Sequence, residues 1–405
     1  AQDTSMNLRS SSALVLCFFA AAASAQQTPA TKSVDPIATM VGRLELARYK
    51  ATIKGLTQFG DRRQGTERNR QAVDWIEAQL KSYGCTNTER IKYDYQPPPP
   101  VVRTGARRPP ADPTVGPGGS RKRGNIETDS VNNDPMKQPD EKLRALDTPP
   151  SVPGEREEVY CTKIGSKHPD QMYIVGAHMD GIGWGEAADD DGSGTALVME
   201  LARIFSSPDV TTDTSIRFAL WNNEETGLDG ARAYANQRKA LQGIESPAGS
   251  GKYPEPRWLG MIQHDMMMFD HGMPLKDGTM RKEQRLEADV NIEYQVTSKF
   301  AEQARALAQA FQLADDKYAT DYPAAVGPHM TNTDSTPFMD LTPSLSLREI
   351  ERGAQMGAGW NPNHHQPTDV YSHYTDDDFR LGLNAAQTTL GAIAQLSGAT
   401  LTTAK

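Results

Sequence analysis

Met172-Tyr173-Ile174-Val175-Gly176-Ala177-His178-Met179-Asp180, followed shortly by Ala188-Asp189-Asp190-Asp191-Gly192-Ser193-Gly194-Thr195, decides how this chain folds. The first stretch is an apolar run of strand length that ends in a histidine and an aspartate. The second is an acidic, Gly-rich loop that opens into residues 195–205, where Leu197, Leu201, Ile204 and Phe205 mark the buried side of a helix. Strand, polar loop and helix follow one another. The polar residues stand just beyond the strand, where open α/β sheets form their sites.

The same grammar repeats outward from there. Residues 215–221 alternate and then turn solidly apolar, as a central strand does, and Asn223-Glu224-Glu225-Thr226-Gly227 follows. Residues 259–263 read as a short strand before His264-Asp265-Met266, and 343–347 as a last core strand. Strands are also expected at 90–95 and 157–162. Helices are expected at 67–82, capped by Thr66 and ended by Gly84, and at 228–238, 299–313 and 377–396, the last capped by Asp377. The alternation predicts an α/β fold, a mostly parallel central sheet flanked by helices on both faces. A single domain is expected at 44–398, interrupted at about 96–153 by a Pro-rich insertion. Pro97 to Pro100, Pro109-Pro110, Gly118-Gly119 and Pro149-Pro150 forbid long regular elements there. The insertion reads as solvated chain, with a lid over a nearby site as the functional alternative.

The N-terminal region reads as an export signal. Arg9 precedes the apolar run 13–23 and a small-x-small site, Ala23-Ser24-Ala25. Residues 6–25 are therefore expected to be a signal peptide behind a short upstream extension, and 26–43 and 399–405 flexible tails. That places the mature protein outside the cytoplasm, secreted or periplasmic. No other run is long enough to cross a bilayer. A net charge of -9 without a basic, aromatic-interleaved stripe argues against nucleic acid as a partner. Cys85 and Cys161 are expected to form a disulfide, because antiparallel pairing of the strands near them brings the two together.

His178, Asp190, Glu224, Glu225, Asp265 and His365 all lie just past strands or in loops opening helices. Histidine and carboxylate together suit a borderline divalent cation such as zinc. The ordered set is H-x-D, D-D-G-S-G, E-E-x-G-L-x-G, a strand-ending Asp and H-x-P-x-D. In that order it resembles the co-catalytic zinc aminopeptidases, which share a fold with glutamate carboxypeptidases and glutaminyl cyclases. The resemblance implies two zinc ions and peptide substrates. His178 with Asp265, and Glu225 with His365, would hold one ion each, and Asp190 would bridge them. Glu224 would be the general base. Asp180 would accept the free N–H of His178, and Asp191 would stand behind the ligands after a peptide bond that is often cis in relatives. A free substrate amine would bind one zinc. Relatives often place a Tyr before the last His and a Ser-Asp-His before a Phe. Here His364 and Ser335 stand instead, and His364 becomes the candidate oxyanion donor. His264, His271, His329 and His373 are not expected to be ligands. Met266, Met267, Met268 and Phe269 read as core, or else as an apolar substrate pocket. The alternatives left open are a glutaminyl cyclase or carboxypeptidase on the same fold, and a non-catalytic binding module.

Overall fold

A computed structural model describes residues 35–97 except Thr86, 131–146, 152–270, 290–349 except Thr320, His329 and Thr331, and 361–402. In chain order the elements are α1 (Pro36–Val41), α2 (Leu46–Thr57), α3 (Glu67–Ser82), β1 (Glu89–Tyr95), α4 (Glu141–Leu146), β2 (Gly154–Lys163), β3 (His168–His178) and α5 (Gly192–Phe205). There follow β4 (Val210–Thr211), β5 (Thr214–Trp221), α6 (Asp229–Arg238), β6 (Arg257–His264), β7 (Val290–Glu293) and α7 (Ala301–Tyr318). The chain closes with β8 (Ala324–Gly327), β9 (Ser344–Arg348), α8 (Asp376–Leu396) and β10 (Thr400–Leu401).

Eight strands form one sheet in the order β1-β2-β5-β3-β6-β9-β7-β8. Its centre, β5-β3-β6-β9, is parallel, as the alternating pattern requires. The flanks are mixed: β1, β2 and β5 pair antiparallel, and β7 runs antiparallel to β9. The strands read as continuous apolar runs because both faces are covered. On β3, Val175 and Ala177 point into the larger core with α2, α5 and α8, while Met172 and Ile174 point into the smaller core with α6. On β5, Ile216, Phe218 and Leu220 take the first face and Ala219 and Trp221 the second. Gly176 sits between these sets because any Cβ there would lie 2.3 Å from the Trp221 indole nitrogen.

Helix α3 has the expected bounds, capped by Thr66, whose hydroxyl accepts the Asn69 N–H. Helix α8 is capped two residues earlier than expected. Thr375, not Asp377, is its N-cap, in a capping box with Asp378. Helix α7 runs five residues past 313, since Ala314, Asp315 and Tyr318 are buried and α7 packs on α8. Within the segment expected to be a flexible tail, Asp35 caps α1 and buries Met40 and Val41. Near the other end β10 pairs with β4. Cys85 and Cys161 are bonded, with Cα atoms 6.0 Å apart.

The insertion departs most from expectation. Of its described residues, 131–146 carry a single 3-10 turn and α4, and they are not simply solvated: Asn132 and Gln138 are buried. The segment read as a signal peptide lies outside the described residues. Among those described, no helix is long and apolar enough to cross a membrane.

Candidate metal centre

Three neighbouring parallel strands stop at one level, and the candidate ligands stand there. β3 ends at His178, opposite Trp221 at the end of β5. Its neighbour Ala177 lies opposite His264 at the end of β6. Glu224 and Glu225 follow β5 after two asparagines, and Asp265 follows β6 directly. Asp190 arrives on the loop before α5, and His365 on the loop 361–369.

Asp190 is the centre of the arrangement. Its Oδ1 lies 3.2 Å from His178 Nε2, and its Oδ2 lies 3.0 Å from His365 Nε2. His178 Nε2 is also 3.9 Å from Asp265 Oδ1, and His365 Nε2 is 2.8 Å from Glu225 Oε2. Two His–carboxylate clusters therefore share one carboxylate. His364 enters the second: its Nε2 is 3.5 Å from Asp190 Oδ2, and its ring stacks on His365 at 3.7 Å. The structure thus brings both histidines of the pair against Asp190, where the sequence pattern assigned only His365.

The donor set fits zinc. Bonds of about 2.0–2.1 Å in a tetrahedron put ligand atoms ~3.3 Å from one another, close to the separations within each cluster. Asp190 Oδ2 and Glu225 Oε1 are buried yet make no aligned hydrogen bond among the described residues. Lone pairs left this way cost free energy unless a cation or water meets them.

The electrostatics point the same way. Burial pushes the Glu224 carboxyl well above its ordinary range, opposed by His178 and reinforced by Glu225 and Asp265. Burial raises Glu225 to about 7, against the pull of His365. Asp334, which the Ser-Asp-His comparison left without a role, is raised by burial as well and feels Asp180, Asp265 and Glu225. Asp190 is the exception: despite burial, the His178 and His365 imidazoles beside it hold it well below the usual carboxylate range. A volume this rich in carboxylates is neutralised most simply by cations.

The supporting shell differs in part from expectation. His178 Nδ1 faces the backbone carbonyl of Asp180 at 3.0 Å, not its carboxylate, which is 3.7 Å away. The carboxylate turns instead to the β5 loop, where its Oδ1 accepts the Glu224 N–H at 3.1 Å. Asp180 therefore fixes both the imidazole and the backbone of the candidate base. The peptide between Asp190 and Asp191 is cis. Asp191 caps α5 through Gly194 and accepts the N–H groups of His178 and Met266, so it binds β3 to the β6 loop. Asp369, the last residue of H-x-P-x-D, accepts from Asp189 N at 2.9 Å and Asp190 N at 3.1 Å and ties the two ligand loops together.

Two arginines escaped the sequence reading. Arg348 donates to Asp265 Oδ2 at 2.7 Å, leaving Oδ1 turned toward His178. Arg62, fully buried, donates to the carbonyls of Met179, Glu186 and Ala187 and shapes the loop before Asp190. Neither lies in a motif, and an isolated arginine in a sequence carries no spacing signal. Ser335 bonds Ser346 and packs inside. His264 is buried between Gly176 O and Thr389, and His373 is exposed in a 3-10 turn, away from the ligand groups. His271 and His329 lie outside the described residues. Met266 to Phe269 are buried, as the core reading expects.

The fold is that of a metal-dependent peptidase family. The model of peptidase family M28 matches residues 159–389, more than half of the chain, and the chain belongs to that family. Among its relatives, the probable lipoprotein aminopeptidase LpqL of Mycobacterium tuberculosis is 26% identical over 243 residues, 57% of this chain and 43% of LpqL. Aminopeptidase YwaD of Bacillus subtilis is 41% identical over 70 residues, 17% of this chain and 15% of YwaD. The matches thus span less than half the length of either relative. The crystal structure of BSAP, a zinc aminopeptidase from Bacillus subtilis, superposes with a TM-score of 0.56 at 14% identity. That match covers 87% of this chain and 95% of BSAP, a likeness of fold.

Proposed function

We propose that the protein is an exported aminopeptidase that removes N-terminal residues from peptides with two zinc ions. The observation that carries this reading is Asp190, which turns one oxygen to each of two His–carboxylate clusters. His178 and Asp265 would hold one ion and Glu225 and His365 the other, with Asp190 facing both clusters. His365 is the ligand of the stacked pair because it reaches Glu225 as well as Asp190. Zinc held there would supply a Lewis acid for the carbonyl and a bound water with its pKa lowered to roughly 7. Glu224, raised by burial and tethered through Asp180, takes the water proton and passes it to the departing amine. His364, stacked beside the site, donates to the developing oxyanion. The neutral α-amino group of a peptide N-terminus would bind one of the ions, which selects N-terminal residues over C-terminal ones. The leader-like sequence supports export.

The test is metal analysis together with a screen of aminoacyl chromogenic amides, free and N-blocked. Two zincs per chain and hydrolysis of free-amine substrates alone are expected. One zinc with cyclisation of N-terminal glutamine, or release of C-terminal residues, refutes the proposal.

A further inference from the structure

The loop 179–191, which carries Asp190, has an awkward backbone. Gly183, Trp184 and Ala187 have φ of 99°, 73° and 47°, and His365 on the facing loop has φ 57°. Non-glycine residues hold positive φ only where their surroundings over-determine it. Arg62 restrains one end of the first loop, at Glu186 and Ala187. The other end, at Gly183 and Trp184, is restrained by the insertion.

Gln138, 2% exposed, donates from one amide nitrogen to Trp184 O at 2.6 Å and to Pro367 O at 3.0 Å. Its two N–H bonds thus go to two different ligand loops, and its oxygen accepts the Asp140 N–H. Six residues earlier, the Asn132 backbone donates to the carbonyl of His365 itself at 3.0 Å, and its side-chain amide donates to Gly183 O at 3.3 Å. Within the arm Arg144 holds the Gln138 carbonyl at 2.7 Å, and Arg68 bonds the carbonyl of Leu146 and anchors its far end.

We infer that residues 131–146 of the insertion are a positioning element of the metal centre. Gln138 and Asn132 hold the His365 loop in register with the loop carrying Asp190. The inference rests on the reading of Asp190 and His365 as zinc ligands. Asn132 and Gln138 touch backbone carbonyls, not the reacting groups, and act through the placement of His365. Without them, four loop carbonyls lose donors and the left-handed turn at His365 loses its external restraint. The two-metal centre of this chain therefore depends on a segment whose composition reads as a spacer.

The test is zinc affinity, measured by competition with a chromophoric chelator on the full chain, beside thermal melting of the metal-free protein. Gln138→Leu keeps the bulk and loses both donors. It should weaken one of two zinc sites about tenfold or more, the range for outer-shell partners, and leave the other within a factor of two. Gln138→Asn is shorter by one methylene, reaches one carbonyl at most, and should fall between. Met136→Ser, on the same arm and 74% exposed, should change neither site. If Gln138→Leu does not fold, Gln138→Asn decides. Both zinc sites unchanged, with melting lowered, makes the arm a structural brace only and overturns the inference. A wild-type chain that binds two zincs while the variants match it sinks this inference alone. A wild-type chain that binds none sinks the zinc reading too.

Discussion

Adding one methyl group at Gly183 should disable half of the metal centre. A Cβ there would lie 2.4 Å from both the carbonyl carbon and the oxygen of His365, and 2.8 Å from the nitrogen of Gln366. All three atoms are backbone, so no rotamer change relieves the contact. Reaching an ordinary separation of 3.4 Å requires the two loops to part by about 1 Å. Metal–ligand distances tolerate only about ±0.2 Å, and a 1 Å misplacement can cost about 10²-fold in rate. The φ of 99° adds backbone strain of about 1–3 kcal/mol. Gly249→Ala separates strain from collision, because Gly249 also has positive φ, 78°, but nothing within 4 Å of the added atom. We expect Gly183→Ala to retain one zinc per chain after dialysis and to lose about 10²-fold in kcat/KM, while Gly249→Ala keeps both properties. Zinc content, steady-state kinetics on an aminoacyl amide and melting curves read all three terms. Two retained zincs with kcat/KM within about twofold of wild type would show that loop contact at Gly183 does not place His365, and the argument would fail.

Glu224→Gln should keep zinc and lose about 10²–10⁴ in kcat, the usual range for a general base. Glu225→Ala should instead lose metal from one site, and the reverse pattern by metal analysis would invert the two assignments. His364→Ala should lower kcat about 10²-fold at unchanged zinc content, as loss of one oxyanion donor does; loss of zinc instead would make His364 the ligand of the stacked pair. Replacing both Cys85 and Cys161 by serine opens a loop with a sequence separation of 76 and should cost up to about 4.5 kcal/mol in denaturant unfolding; no change in midpoint would mean that the unfolded chain gains nothing from the bond. Burial raises the Asp315 carboxyl from 3.8 to about 6, even with Thr388 and Asn384 donating to it. The native state then holds a proton that the unfolded state has released, so this group's contribution falls as pH rises from ~4 to ~6. Asp315→Asn should remove that loss, and its stability relative to wild type should rise across the window by at most about 3 kcal/mol. A pH-independent difference between the two proteins would refute the buried-proton account.

Much of the site was legible because its chemistry is local. His178, Glu224, Glu225 and Asp265 each sit within a few residues of a strand end and Asp190 two residues before α5, and periodicity locates both kinds of boundary. The same holds for α3, with Thr66 before it and an apolar face at Ala72, Val73, Ile76 and Leu80. At the start of α8 the sequence pointed to Asp377 as the cap, and the structure places it at Thr375. The outcome depended on the reciprocal bond from Asp378. The four-residue strands β7 and β8 were invisible because so few residues carry no period; pairing beside β9 makes them strands.

By itself the sequence determined the β–α alternation, the order of the candidate ligands and the pairing of Cys85 with Cys161. These follow from side-chain periodicity and from polar residues placed beside strand ends. Only the tertiary structure decided how far apart those ligands stand, that the carbonyl of Asp180 and not its carboxylate meets His178, and that both histidines of the 364–365 pair face Asp190. It also revealed Arg348 behind Asp265 and brought Gln138 onto Trp184 and Pro367. Such contacts join residues far apart in the chain through single hydrogen bonds to backbone or carboxylate. Hydrogen bonds of that kind impose no periodicity on the sequence, so they exist as information only once the loops have closed on one another.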